Sequence, residues 1–163
     1  YLFENPTNKR HIDVFFDRLE FCHTIDFNAR LDLDYPTISL ADLFLEKMQI
    51  VDINEKDIKD VIVLLREHEI GKQSKDSIED EYISSLLSRD WGFYYTVTTN
   101  LSKVTTFLPK YEALMAEDRS NVVAKIDCLS RTIEDADKTL KWKIRAKTGP
   151  RKIWYRKVEE IGL

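Results

Sequence analysis

The stretch that decides the fold is "PTISLADLFLEKMQIVDINEKDIKDVIVLL", residues 36–65. Its residues 40–51 are apolar on nearly every side, which is typical of a buried helix. Ser39 with Asp42 three positions later fits the pattern of an N-terminal helix cap, and Asn54 can cap a second helix. In that second helix the apolar residues recur at i, i+3, i+4 and i+7, as Ile58, Val61, Ile62 and Leu65. The stretch therefore predicts two consecutive helices that contribute to one hydrophobic core.

An extended segment precedes these helices. The run "KRHIDVFFD", residues 9–17, is rich in β-branched and aromatic residues and predicts a first, buried strand. Asp13 lies in the middle of this strand, and a buried carboxylate is costly unless it is paired. Because side chains alternate along a strand, Asp13 shares a face with Phe15 and Asp17, and that face can also be the open, solvated side of a sheet. This stretch alone leaves both interpretations open.

Length and composition are those of an ordinary globular protein. Of the 163 residues, 43% are hydrophobic and 33% are charged. No run of 18 apolar residues occurs, so the sequence predicts no membrane-spanning helix. Cys22 and Cys128 lack the spacing of a metal site, which favours reduced thiols in a cytoplasmic protein. The sequence also lacks the motifs of P-loop ATPases, nucleophile-elbow hydrolases, zinc metalloproteases and dithiol oxidoreductases.

Turn residues predict one boundary between domains. Residues 71–78, "GKQSKDSI", are rich in Gly, Ser and charge, which favours a link. We therefore predict one domain over residues 1–70 and a helical domain over residues 75–163. In the second domain, helices are predicted over about 79–89, 90–116, 120–136 and 138–160, with breaks at Pro109 and at Gly149-Pro150. The predicted fold class is α+β, with a small mixed sheet and helices followed by a mainly helical C-terminal domain.

Four charged residues of the two-helix stretch are candidates for chemistry. Lys47 lies in an apolar helix, so either its amine reaches water beyond its aliphatic stem, or the amine faces a cleft and holds a phosphate as a point charge. Lys56 and Asp60 are four positions apart and share one helix face. That face is opposite the apolar stripe, so a solvated ion pair is the alternative to a binding site. Asp57 falls in the first helical turn, where the helix dipole favours a carboxylate.

These residues occur in an order that resembles a known family. The run "RHIDVFFD" followed by residues 36–65 is similar to the second half of the minimal nucleotidyltransferases of the AbiEii toxin-like group, in the polymerase-β superfamily. The resemblance covers roughly residues 9–67 and lies in the order and spacing of the charged residues. It implies that Asp13 matches the third metal-binding carboxylate of the family and that Lys47 matches the lysine of the following helix. The K-D-x-x-D segment of the family would then be Lys56, Asp57 and Asp60.

The resemblance implies a nucleotidyl transfer reaction. In that group carboxylates hold two Mg²⁺ ions, which align the attacking hydroxyl and neutralise the phosphates of an NTP. It implies that Asp13 is a metal ligand, that the catalytic residues are Asp13, Lys47 and Asp60, and that the nucleotide is bound by Lys47, Lys56 and Asp57. A Gly-Ser followed by a D-x-D pair, which begins the family pattern, occurs nowhere in the sequence. One aspartate cannot bind both ions, so the chain is expected to be a fragment of a longer enzyme or a non-catalytic relative.

The C-terminal stretch "KTLKWKIRAKTGPRKIWYRK", residues 138–157, is strongly basic. It holds nine Lys or Arg and no Asp or Glu, which leaves 16 basic against 29 acidic residues elsewhere. Cations interleaved with Trp142, Trp154 and Tyr155 are typical of a surface that binds RNA or single-stranded DNA. The cations predicted to contact nucleic acid are Lys141, Lys143, Arg145, Arg151, Lys152 and Arg156. The alternative is that the tryptophans pack on the acidic body and the cations stay exposed around them.

Two functional hypotheses follow from these patterns. The leading one is transfer of a nucleoside monophosphate from an NTP to an unknown acceptor, and a tRNA acceptor would explain the basic stretch. The rival is a non-catalytic helical binding module that holds nucleic acid or a partner protein through the same stretch. If the first hypothesis is right, Asp13, Lys47 and Asp60 should converge on one cleft, with Lys56 at its edge.

Overall fold

The computed structural model describes residues 1–72 and 74–158, and these residues form six α-helices and three two-stranded sheets. The strands are β1 (Leu2–Glu4), β2 (His11–Asp13), β3 (Arg18–Glu20), β4 (Thr24–Asp26), β5 (Glu69–Gly71) and β6 (Ser77–Glu79). The helices are α1 (Leu40–Met48), α2 (Glu55–Glu67), α3 (Asp80–Leu87), α4 (Trp91–Phe107), α5 (Ala116–Asp135) and α6 (Leu140–Thr148). The predicted α+β class is confirmed, and helical residues outnumber strand residues several-fold in this part of the chain.

The strands form three separate pairs and not one mixed sheet. β1 with β2 and β3 with β4 are antiparallel, while β5 and β6 are parallel. The single buried strand predicted over residues 9–17 is wrong, because β2 ends at Asp13 and β3 begins at Arg18. Ile12 in β2 is 65% exposed, and Phe16 in the connection is 60% exposed. Such residues favour extended backbone, but an isolated short hairpin offers no second layer to bury them against.

The two helices of the deciding stretch begin where their caps predict. The Ser39 hydroxyl accepts a hydrogen bond from the backbone N–H of Asp42 at 3.2 Å. The side-chain oxygen of Asn54 accepts one from the backbone N–H of Asp57 at 3.0 Å. The predicted stripe of α2 is buried, with exposures of 3% or less for Ile58, Val61, Ile62 and Leu65. The prediction of two capped helices on one core is confirmed.

The end of α1 depends on a residue of α4. The helix stops at Met48, before the predicted end at residue 51. There the amide of Asn100 donates hydrogen bonds to the carbonyls of Met48, at 3.1 Å, and Ile50, at 2.8 Å. Carbonyls at a helix end lack partners within the helix, so this buried amide satisfies them from outside.

One hydrophobic core includes both halves of the chain. Its buried side chains extend from Leu19 in β3 to Ile133 in α5 and include residues of α1 to α5. The segment 71–78, predicted as a link, contains most of β6, whose Ile78 has no exposed surface. Helices α3 and α5 pack on α1 and α2, so the structure does not show a separate C-terminal helical domain. A Gly- and Ser-rich composition indicates a turn, but it does not tell whether the chain returns to the same core.

The later helices follow the predicted order with different bounds. Helix α4 ends at Phe107, and Pro109 lies in the 3₁₀ turn that follows it. The predicted last helix, 138–160, ends at Thr148 because Gly149 has a φ of +60° that residues with a side chain rarely adopt. Its predicted residues 159 and 160 lie outside the described residues. Among the described helices, none is both long and apolar enough to cross a bilayer.

Candidate functional site

Lys47, Asp57 and Asp60 form one cluster between α1 and α2. The Nζ of Lys47 lies 3.1 Å from an Oδ of Asp60 and 3.4 Å from an Oδ of Asp57. The side chain of Lys47 is 23% exposed, that of Asp57 is 11% exposed and that of Asp60 is 41% exposed. The amine is therefore held by one largely buried carboxylate and one that water reaches readily.

The charges in this cluster limit what it can bind. Burial lowers the pKa of Lys47, but the hydrogen bond that its amine donates to Asp60 and the charge of Asp57 outweigh burial and hold this pKa above its ordinary value. The amine is thus protonated at neutral pH beside two carboxylates. An ammonium group has three donors, and two of them are directed at Asp57 and Asp60. One donor remains for water or for a phosphate oxygen.

The other predicted site residues do not join this contact. Asp13 is exposed at the end of β2, and within the described residues its carboxylate forms no ion pair with Lys47. Lys56 is exposed on the first turn of α2. The structure therefore brings Lys47 and Asp60 together with Asp57 and leaves Asp13 and Lys56 outside the cluster.

The described residues do not assemble a site for Mg²⁺. Across residues 1–72 and 74–158, no three acidic, His or Cys side chains converge as metal ligands would. Asp57 and Asp60 each direct an oxygen at the amine of Lys47, whose positive charge opposes a second cation at that place. Among the described residues, Asp13, the residue predicted as a metal ligand, does not form a group of ligands with these two aspartates. Within residues 1–72 and 74–158, the predicted Mg²⁺ therefore has no assembled set of ligands.

A second and larger candidate site lies where the basic stretch meets the rest of the protein. A cavity of about 620 Å³ is bordered by the β3–β4 hairpin, the beginning of α4, α6 and residues 152–156. All three tryptophans of the chain, Trp91, Trp142 and Trp154, line it, and we call it the tryptophan cavity. Its volume is within the range of small-molecule binding sites.

Close contacts fix the chain after α6 across the beginning of α4. Gly92, in the first turn of α4, lets the Trp154 carbonyl approach so closely that a Cβ at residue 92 would lie 2.3 Å from that oxygen. The indole N–H of Trp154 donates to the hydroxyl of Thr96 at 3.0 Å. The backbone N–H of Arg156 donates to the carbonyl of Cys22 at 2.9 Å. Backbone and aromatic contacts therefore dominate the docking of this segment.

The two tryptophans of the basic stretch pack on α4 and remain half-buried. The rings of Trp142 and Tyr94 meet edge to face with centroids 5.0 Å apart, and so do those of Trp154 and Tyr95. Trp142, Trp154 and Tyr155 all border the tryptophan cavity. Of the two arrangements that the sequence allows, the structure has the packed one, and it still leaves aromatic surface on the cavity wall.

The cations predicted to contact nucleic acid differ in their surroundings. Five are exposed, namely Lys141, Lys143, Arg151, Lys152 and Arg156. Arg145 is half-buried and donates to the carbonyls of Gly149, at 2.7 Å, and Lys152, at 2.6 Å. Arg145 therefore holds the end of α6 in place, and its two terminal nitrogens are already engaged. Among the described residues only Arg156 of this set forms an ion pair, with Glu20 at 3.3 Å.

His23 closes the inner wall of the tryptophan cavity. It is 6% exposed, its ring stacks on Phe93 with centroids 4.7 Å apart, and its Nε2 lies 2.9 Å from the Thr96 hydroxyl. Burial lowers the pKa of His23 to about 4, although the carboxylate of Asp90 opposes this shift. The imidazole is therefore neutral at pH 7, and it packs inside the fold against Phe93. Thr96 joins it to the indole of Trp154.

Sequence reasoning did not identify Arg89, Trp91 and His23 as neighbours of the basic stretch. They line the same cavity but come from distant parts of the chain. The one local signal is Gly92 directly after Trp91, because a glycine in a first helical turn can indicate a close backbone approach.

Searches against protein-family models, curated proteins and solved structures found no match for this chain. The resemblance to the AbiEii toxin-like nucleotidyltransferases therefore stays a prediction that depends on the charged residues within 9–67.

Proposed function

We propose that this chain is part of a nucleotidyltransferase-like protein that transfers a nucleoside monophosphate from an NTP to an acceptor, and that Lys47 contacts the phosphates. The observation that supports this proposal is the cluster of Lys47, Asp57 and Asp60. These residues stand at the positions that the resemblance assigns to the helical lysine and to the two aspartates of K-D-x-x-D. Their side chains meet within 3.4 Å although they belong to two helices.

Lys47 is suited to this role because its amine is held in place without being sealed from water. Asp57 is the largely buried partner, and Asp60 is the exposed one. A phosphate oxygen arriving from solvent can accept the third donor of this amine, and the exposed Asp60 can exchange its own contact with the amine for water. Asp57 keeps the amine oriented during this exchange. An ammonium held in this way acts on phosphate as a point charge.

The transfer step needs further groups. The acceptor hydroxyl attacks the α-phosphate, the bond to pyrophosphate breaks, and the hydroxyl proton must leave. A Gly-Ser followed by D-x-D occurs nowhere in these residues, so the activity is proposed for the protein encoded by the complete reading frame. In that protein Lys47 would offset part of the negative charge on the nucleotide phosphates.

The test is a transfer assay on the protein encoded by the complete reading frame, with α-labelled NTPs as substrates and bulk tRNA as acceptor. It compares the wild type with the variant Lys47→Met. The matched control is Lys59→Met, because Lys59 is 54% exposed on α2 and pairs with Glu55 at 2.7 Å. We expect Lys47→Met to lower transfer about 10- to 150-fold, since a hydrogen bond to a charged group is worth about 1.5–3 kcal/mol. The control should transfer at the wild-type rate.

Thermal melts of both variants separate loss of activity from loss of fold. Equal transfer by a folded Lys47→Met variant and the wild type would overturn the role of Lys47. A reading frame without Gly-Ser and D-x-D before Tyr1, together with no transfer to any acceptor tried, would overturn the proposal as a whole.

A further inference from the structure

Within the described residues, most cations of the basic stretch form no ion pair with an acidic side chain. Among the described residues, Arg156 alone of its nine cations forms an ion pair with an acidic side chain. Four cations besides Arg145 line the tryptophan cavity, namely Arg89, Lys141, Lys152 and Arg156. The acidic residue found in the described lining is Asp90, and its carboxylate is engaged as the N-cap of α4. The cavity wall therefore attracts anions.

Aromatic and aliphatic surface accompanies this charge. Trp91 is largely covered, because it stacks on Tyr95 at 5.1 Å and the Arg145 guanidinium lies 4.5 Å from its ring centroid. The half-buried rings that border the cavity are Trp142, Trp154 and Tyr155. Ile144 and Ile153, also in the lining, are 59% and 60% exposed. A flat ring that enters the cavity thus finds apolar partners beside the cations.

This combination selects one class of ligand. Single-stranded nucleic acid needs cations along its backbone and aromatic surface against its bases, whereas a duplex keeps its bases stacked inside. A lone nucleotide would use the cavity only, but exposed cations continue beyond it, at Lys143, Lys147 and Arg151. We propose that the tryptophan cavity seats bases of a single-stranded nucleic acid whose backbone follows the cations of residues 138–157. This site uses none of the residues of the Lys47 cluster, so it does not depend on the transfer reaction.

The three tryptophans make the proposal directly measurable. Because all of them line one cavity, a ligand that enters it must change the tryptophan emission of the protein. The test is a titration of the chain with labelled oligouridylate and oligothymidylate of about 15 nucleotides, followed by anisotropy and by tryptophan emission. If about four phosphates are neutralised, affinity should fall about 50-fold between about 50 and 200 mM KCl. A duplex of equal length should bind about tenfold more weakly or worse.

Two triple variants separate this surface from overall charge. The first removes three exposed cations of the basic stretch, in Lys141→Gln, Arg151→Gln and Lys152→Gln. The control removes three exposed cations that do not line the cavity, in Lys9→Gln, Lys72→Gln and Lys110→Gln. We expect the first to lose at least about tenfold in affinity at low salt and the control to change less than about twofold.

A pair of substitutions at Tyr155 tests the stacking. Tyr155→Ala removes a ring and should weaken binding about 5- to 150-fold, while Tyr155→Phe keeps the ring and should bind like the wild type. The two triple variants alter exposed side chains only, so their Tm should lie within a few degrees of the wild-type Tm.

Several results would overturn the proposal. These are no binding at low salt, equal losses in the two triple variants, or binding without a change in tryptophan emission. Tighter binding of duplex, or of vesicles that contain anionic phospholipid, than of single strand would also overturn it, because the ligand class would then be another.

Discussion

Replacing Gly92 by alanine should release the basic stretch from the body of the protein. Gly92 lies in the first turn of α4, under the backbone carbonyl of Trp154. A Cβ at residue 92 would be 2.3 Å from that oxygen and 3.3 Å from an oxygen of Asp90. The first distance is far below van der Waals contact, and the atom it meets is backbone, which cannot rotate away. The segment around Trp154 must therefore move.

The size of the effect can be estimated from the contacts that this movement breaks. The hydrogen bonds from Trp154 to Thr96 and from Arg156 to Cys22 are worth about 1 kcal/mol each. Returning the half-buried Trp154 side chain to water costs about 1–2 kcal/mol more. Alanine regains about 0.5–1 kcal/mol through its higher helix propensity. The net loss of unfolding free energy is about 2–3 kcal/mol, which corresponds to a fall in Tm of about 4–12 °C.

Thermal denaturation and limited trypsin digestion together check this prediction. Gly71→Ala is the matched control, because a Cβ there would have no atom within 4 Å. Trypsin should cut Gly92→Ala first within residues 138–157, which hold nine Lys or Arg. The reasoning is refuted if Gly92→Ala melts at or above the wild-type temperature and keeps this segment protected, since the Trp154 carbonyl would then be able to shift without loss.

Two further perturbations test the buried polar groups. His23 has a pKa of about 4 in the folded protein against 6.5 when unperturbed. As the pH falls, His23 is therefore protonated in the unfolded state before it is protonated in the folded state. The stability it contributes is complete above pH 6.5 and is lost as pH falls toward 4, up to about 3 kcal/mol. Urea unfolding from pH 7 to 4.5 should show this loss in the wild type and less of it in His23→Gln, and identical pH profiles would contradict the assignment. Asn100→Leu should lower the unfolding free energy by about 2–4 kcal/mol, because the carbonyls of Met48 and Ile50 lose their donor. Ser102→Ala, on the exposed side of α4, should change the unfolding free energy by less than about 0.5 kcal/mol.

The helical centre of the fold was predictable because its signals are local. Ser39 and Asn54 act on backbone groups three residues ahead, and the stripe of α2 repeats within two turns. Such patterns follow from the geometry of a single helix. The contact of Lys47 with Asp60 connects two helices, and only the family resemblance grouped these two residues. Helix periodicity offered Lys56 as the partner of Asp60, because it reports only neighbours on the same helix.

The burial of the first strands was not predictable in the same way. Ile12 and Phe16 have the residue types of a core strand, and both are mostly exposed. Burial depends on a second layer that covers the strand, and no pattern within residues 9–17 reports whether that layer exists. In the segment 71–78 the sequence is mostly polar and predicts an exposed link, yet its Ile78 is fully buried.

By itself the sequence determined which segments are helical, where the caps stand and that residues 138–157 combine cations with aromatic rings. Only the tertiary structure decided that Trp91, Trp142 and Trp154 line one cavity. It also decided that Arg145 binds two backbone carbonyls after α6. The physical reason is that helix periods and caps arise between residues within a few positions of each other. The cavity instead depends on a backbone carbonyl seated against Gly92, a contact between distant residues that involves no side chain at that position and therefore leaves almost no trace in composition or spacing.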